Sequence, residues 1–134
     1  MHNQISSGKD FAIESTLSGR SLIKIFQQLK FEKYRIIVLY IFLDCVKIAV
    51  DRVRVRVEEG GHHIPTEDLQ RRYSRSFNNF WNIYNDLADE WQIFYNGEDN
   101  VIQTAFGAKQ EFKIIDESKF DLFMRGLDVK NNEL

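Results

Sequence analysis

Cysteine, proline and histidine are scarce in this 134-residue sequence, which has one cysteine, one proline and three histidines. With Cys45 alone no internal disulfide can close, and a zinc site built from several thiolates is excluded, which fits a reducing compartment. His62 and His63 are adjacent, so their side chains diverge. They are expected to hydrogen-bond a hinge, and no metal site is expected from them. Long apolar runs are missing too. The longest, Ile36 to Leu43, is too short to cross a bilayer, and the N-terminal residues lack the basic and apolar regions of a secretory signal. A cytoplasmic chain with no membrane partner is expected. Charge of one sign is also scarce: the net charge is -2 at pH 7. That balance, with no aromatic platform evident, argues against nucleic acid as a partner.

What is present suits a single α/β domain over residues 1–134. Hydrophobic residues make up 43% of the chain and aromatic residues 13%, enough for a real core. Ser7, Gly8 and Lys9 invite a nucleotide-loop reading, which fails. The upstream glycine is missing, Asp10 stands where Ser or Thr should follow the lysine, and the tripeptide precedes a strand, so a turn is expected. Phe11 to Thr16 alternates as a short strand and delivers Glu14, Ser15, Thr16 and Ser18 to its C-terminal end, where ligands bind in open α/β sheets. There the carboxylate and hydroxyls hold a substrate alcohol or sugar, or Thr16 or Ser18 caps the next helix; the two roles are compatible. Leu22, Ile25, Phe26 and Leu29 recur at helical spacing, predicting a crossover helix from Gly19 to near Lys30. Tyr34 to Leu43 is almost continuously apolar, the pattern of a central strand buried on both faces of a parallel sheet.

The stretch from Cys45 to Trp91 carries the arginines. Arg52 to Val57 alternates as a strand would, yet Val46, Ala49, Val50, Val53 and Val57 keep helical spacing and Gly60-Gly61 makes a helix terminus, so a helix is predicted. Arg52 and Arg56 then share a face. Beyond the hinge a second helix starts at Pro65 and Thr66, with Leu69, Tyr73, Phe77, Phe80 and Tyr84 as its buried stripe. Arg71, Arg72 and Arg75 lie off that stripe. The arginines either clamp phosphate oxygens, as a lid over residues 45–82, or form an ordinary solvated face. Farther on, Trp91 to Tyr95 reads as a strand closed by Asn96 and Gly97. Val101–Ala105 and Phe112–Ile115 read as a hairpin, and Ser118–Leu127 as a terminal helix burying Phe120, Phe123 and Met124.

Several of these strings, in this order, resemble the zeta-toxin family of P-loop kinases. They are Phe11-Ala12-Ile13-Glu14-Ser15-Thr16-Leu17-Ser18-Gly19-Arg20-Ser21; Arg52, Arg56 and Val57; Gly60-Gly61-His62 with Ile64-Pro65; Arg71-Arg72-Tyr73 with Arg75-Ser76; and Leu87-Ala88-Asp89 before a strand ending in Tyr95-Asn96. The resemblance spans Gly8 to Asn96. It implies an incomplete P-loop-kinase-like three-layer α/β fold with a mostly parallel sheet and an arginine-bearing helical lid. It also implies transfer of the ATP γ-phosphoryl group, with Mg²⁺, to a small molecule such as UDP-N-acetylglucosamine. By matching positions, Glu14 and Thr16 would orient the substrate hydroxyl with Ser18 beside them. Arg52, Arg56, Arg72 and Arg75 would neutralise charge on the transferring group, and Asn96 and Gly97 would sit in the adenine loop.

Family members also carry an N-terminal strand, a GxxxxGK[ST] loop and an acidic catalytic base, none of which has a counterpart in this sequence. The chain alone is therefore expected not to be a competent kinase. The missing strand would leave the Phe11 and Tyr34 strands as facing edges. Direct closure of the two is the expected outcome; an N-terminal complementing polypeptide and a homodimer are the others. A non-catalytic module that binds an anion or nucleotide sugar, or a regulatory remnant of such a kinase, is the competing function.

Overall fold

Helical periodicity in the sequence is matched by helices in the molecule. A computed structural model describes residues 8–43, 58, 66–97, 100–109 and 111–132, with the backbone alone at 66–70 and 128–132. In chain order the elements are α1 (Leu22–Phe31), β1 (Ile37–Phe42), α2 (Thr66–Asn79), β2 (Glu90–Asn96), β3 (Val101–Ala108), β4 (Glu111–Ile114) and α3 (Glu117–Asn132). Helix α2 continues through a π-helical turn, Phe80–Tyr84, and a last α-turn, Asn85–Leu87. The predicted Arg52–Val57 helix and the Gly60 to Pro65 hinge lie outside the described residues, and with them Arg52, Arg56, His62 and His63. Among the described residues no helix is long and apolar enough to cross a membrane.

Helix ends follow local chemistry. Helix α1 stops in paired backbone bonds, Tyr34 N–H to Leu29 C=O at 2.9 Å and Lys33 N–H to Lys30 C=O at 3.0 Å. Lys33 takes the left-handed conformation between them, a position more often given to glycine. Helix α3 starts on Asp116, whose Oδ1 accepts from the Ser118 hydroxyl at 2.8 Å and from the Lys119 amide at 3.1 Å. Those bonds hold the Asp116 carboxyl below its ordinary pKa.

The sheet has the order β1-β2-β3-β4. Strands β1 and β2 are parallel, with Tyr40 beside Ile93; β2–β3 and β3–β4 are antiparallel. This corrects the expectation of a mostly parallel sheet. Turns as short as those joining β2, β3 and β4 can make only antiparallel pairs. The β2–β3 register shifts between Ile93 and Phe94, so that Thr104 is left over as a bulge. Its carbonyl accepts the amides of Ile115 at 2.8 Å and Asp116 at 3.1 Å.

One face of the sheet carries the core. The Tyr40 ring stacks on Phe80 at 4.4 Å and meets Phe123 at 6.0 Å, while Phe80 meets Trp91 at 6.0 Å. Helices α2 and α3 thus lie on the same side, and α1 joins them through Phe26 against Tyr84 at 5.2 Å. Aromatic pairs of this kind contribute about 0.5–1.5 kcal/mol each beyond their burial. Helix α3 approaches α2 closely at Gly126, where an added Cβ would lie 2.4 Å from the Phe77 ring. On the opposite face Ile37, Leu39 and Ile41 are 49%, 59% and 58% exposed. The described residues therefore form two layers, where three were expected.

Two strand expectations also change. Strand β1 is not central among the described residues, where it pairs with β2 alone, and burial alternates along it instead of covering both faces. Phe11 to Thr16 forms no strand. Strand propensity needs a neighbouring ladder to express itself, and among the described residues this segment joins none. Side chains hold it instead. The Phe11 ring meets Tyr34 at 5.7 Å, and the Ser76 hydroxyl donates to the Thr16 carbonyl at 2.6 Å. The expected direct closure of the two strands does not occur.

Candidate functional site

Between β1 and the Phe11–Leu17 segment lies a cleft of ≈ 890 Å³. Its body is apolar, walled by Phe26, Leu29 and β1. Polar groups reach it from Glu14, Ser15 and Thr16 on the segment, from Arg72, Tyr73 and Ser76 on α2, and from Arg35 ahead of β1.

The segment ends in a hydroxyl-rich turn. The Ser15 hydroxyl accepts from the Leu17 amide at 3.1 Å, and the Thr16 and Ser18 hydroxyls lie 2.9 Å apart. Leu17 is buried with φ at 57°, in the left-handed region, at a cost of about 1–2 kcal/mol for a residue with a Cβ. Helix α2 offsets that strain. Asn79 Nδ2 donates to the Leu17 carbonyl at 2.7 Å, and the Tyr84 hydroxyl donates to Gly19 at 3.0 Å. Thr16 and Ser18 are not helix caps, because α1 begins later, after Ser21, which makes no side-chain capping bond. Their hydroxyls bond to each other within the turn, and Thr16 keeps a free hydrogen-bonding position toward the cleft it lines.

Ser76, one helical turn beyond Arg72, is the joint between the two walls. It lies 2.6 Å from the Tyr40 hydroxyl as well as donating to Thr16. Because the single Ser76 proton goes to the Thr16 carbonyl, Tyr40 must be the donor in the other bond. A directed relay results: Tyr40 to Ser76 to the Thr16 carbonyl. Burial pushes the Tyr40 phenol well above its ordinary pKa, with the Ser76 bond opposing, so it stays protonated. Tyr73 ties the far end of β1 down by donating to the Leu43 carbonyl at 2.9 Å.

The structure therefore brings Glu14, Thr16 and Arg72 to one cleft, with Ser18 next to Thr16. Arg72 is exposed and, among the described residues, has no ion-pair partner; Arg35, which also lines the cleft, is paired with Glu90. Arg75 is exposed but does not line the cleft. Asn96 and Gly97 do not line it either; they occupy the β2–β3 turn, where the Gly97 amide donates to the Asn100 carbonyl at 2.9 Å. Parallel pairing of Phe42 with Tyr95 puts that turn at the same end of the sheet as Leu43. Sequence reasoning missed Tyr40, Ser76 and Asn79, since a lone polar residue on a helix or strand has no periodic signature.

Comparison with known proteins yields little that bears on this site. No family model matches the chain, and no solved structure matches it. An uncharacterised protein of Haemophilus influenzae (strain ATCC 51907 / DSM 11121 / KW20 / Rd) is 35% identical over 72 residues, which are 54% of this chain and 51% of that protein. The chain thus spans about half the length of the curated relative it matches.

Proposed function

We propose that this chain is the substrate side of a zeta-toxin-like small-molecule kinase, binding an anionic, hydroxyl-bearing ligand of the nucleotide-sugar type. By itself it would bind without transferring phosphate. The observation that carries this reading is the shared placement of Glu14, Thr16 and Arg72 on one cleft. A guanidinium there suits a phosphate through paired donors, while a carboxylate and hydroxyl suit a sugar alcohol. Ser76 and Asn79 add precision by pinning the Thr16–Leu17 backbone to α2.

ATP and Mg²⁺ belong to the reading only through the resemblance. The chain's own residues do not fit them: the sequence holds no GxxxxGK[ST] segment. Among the described residues no three His, Cys, Asp or Glu side chains come together to hold a cation. What the chain contributes to transfer is positioning of the acceptor, and the phosphate cradle and catalytic base would come from elsewhere.

The test is calorimetric titration of UDP-N-acetylglucosamine into the full chain. Binding should weaken at least tenfold in Arg72→Ala and stay unchanged in Lys113→Ala on β4, and the chain alone should hydrolyse no ATP. Absence of binding at millimolar ligand, or equal binding by Arg72→Ala, would sink the reading.

A further inference from the structure

Strand β4 ends the sheet and has no neighbour beyond it among the described residues. The hairpin register decides what its free side offers. Lys113 lies opposite Phe106 and Glu111 opposite Ala108, and the Ile115 amide donates to the Thr104 carbonyl. Ladder bonds alternate along an antiparallel pair, so Glu111 and Lys113 turn their backbone groups toward β3, while Phe112 and Ile114 turn theirs outward. Side chains alternate too. Phe112 and Ile114 lie on the core face, 46% and 38% exposed, and Glu111 and Lys113 lie on the other face. Neither Glu111 nor Lys113 has an ion-pair partner among the described residues.

We propose that β4 pairs with β4 of a second copy of this chain, antiparallel about a two-fold axis that passes through Phe112. Charge selects this register. Only residues with like-facing backbone groups can pair, so a symmetric antiparallel pair is centred on a residue and not between two. Centring on Glu111 or on Lys113 sets a charge against its own copy, and centring on Ile114 leaves Glu111 beyond the paired strands. Centring on Phe112 sets each Glu111 opposite the other copy's Lys113, twice over. Opposite charges directly across a strand pair stabilise it and like charges oppose it. Lysine on an edge strand ordinarily deters pairing; here a glutamate two residues away answers it. On the core face the two Phe112 rings, each already 5.7 Å from Trp81, meet across the axis.

The surroundings of β4 leave room for the second copy. Helix α3 packs over β3, one strand in from the edge, so its two copies lie three strand spacings, about 14 Å, apart, beyond the roughly 8–10 Å of helices in contact. The long stretches of chain outside the described residues leave from the far side of the sheet. Leu43 ends β1, where Tyr73 holds its carbonyl at 2.9 Å, and the Lys9 carbonyl lies 3.4 Å from the Tyr34 hydroxyl ahead of β1. Strand β4 is three strand spacings from there. A pair of four-residue strands buries less than the roughly 1,600 Å² of a standard interface, so the dimer is a weak one. This edge lies across the sheet from the Phe11–Leu17 cleft, and the inference does not rest on the nucleotide-sugar reading.

The experiment is sedimentation equilibrium of the full chain and two charge-reversed variants. The unaltered chain should form a dimer whose population rises toward millimolar concentration. Lys113→Glu and Glu111→Lys, both at exposed positions and checked for folding by circular dichroism, should each weaken it at least fivefold, because each turns two attractive pairs into two repulsive ones. An equimolar mixture of the two variants should recover the original association, since every glutamate then faces a lysine again; misfolded variants could not recover it. In the ¹⁵N-labelled unaltered chain, exchange of the Phe112 and Ile114 amides should slow as concentration rises. A monomer at millimolar concentration, a dimer indifferent to both reversals, or a dimer abolished by Leu39→Lys on β1 and not by the reversals overturns the proposal. So does protection of Phe112 and Ile114 that is independent of concentration, because another part of the same chain then covers the edge.

Discussion

Removing the Ser76 hydroxyl should cost more stability than removing the Tyr40 hydroxyl, although the two share a bond. The reason is the direction of the relay. Tyr40 is 7% exposed and stacked on Phe80, so in Ser76→Ala its hydroxyl keeps its burial and loses its acceptor. A buried donor left unsatisfied costs about 1–3 kcal/mol. The Thr16 carbonyl also loses its 2.6 Å donor, but it lies near solvent and water replaces much of that bond. In Tyr40→Phe the ring stays in its stack, Ser76 keeps its bond to Thr16, and the loss is about 0.5–1.5 kcal/mol. The double variant has no orphaned phenol, so it should cost about 1 kcal/mol less than the sum of the two single variants. Urea unfolding followed by tryptophan fluorescence reads all four proteins. With a slope of about 1–3 kcal/mol per molar urea, Ser76→Ala should lower the midpoint by about 1 M. A larger loss in Tyr40→Phe, or additive single losses, would refute the assigned direction.

Two further outcomes follow from close contacts and charge. Gly126→Ala should lower the melting temperature even though alanine favours a helix by about 1 kcal/mol. Its Cβ would sit 2.4 Å from the Phe77 ring, itself 2% exposed, and overpacking of that kind costs about 1–3 kcal/mol; a raised melting temperature counts against the packing described. Asp116 titrates lower in the folded chain than an ordinary aspartate, near 3.8, so the stability it lends is present above that value and is lost as pH falls below it. Asp116→Asn should flatten that part of the acid-unfolding curve, and an unchanged curve would count against the cap.

Legibility in the sequence divides by the range of the interaction. Leu22, Ile25, Phe26 and Leu29 place α1 because a helix satisfies its own backbone, and Phe77, Phe80 and Tyr84 place α2 for the same reason. Ile37 to Phe42 was recognisable as a strand, but its place at the edge was not. An apolar run reports what a strand is built to touch, and here that neighbour is not among the described residues. Phe11 to Thr16 has strand alternation and no strand, because among the described residues it joins no ladder. At the candidate site, Glu14, Thr16 and Arg72 line one cleft, whereas Arg75, Asn96 and Gly97 stand outside its lining. The relay through Ser76 and the left-handed turn at Leu17 depend on contacts 36 to 62 residues apart, which no local pattern announces.

The bulge at Thr104 couples the terminal helix to the strand register. Its carbonyl receives the two amides that lead into α3, and it points toward them only because one residue of β3 is left over against β2. A hairpin formed one residue out of register would present Gln103 or Ala105 instead, and the terminal helix would lose its anchor. The seating of α3, with Phe120 and Phe123 in the core, is therefore tied to the register of β3 against β2.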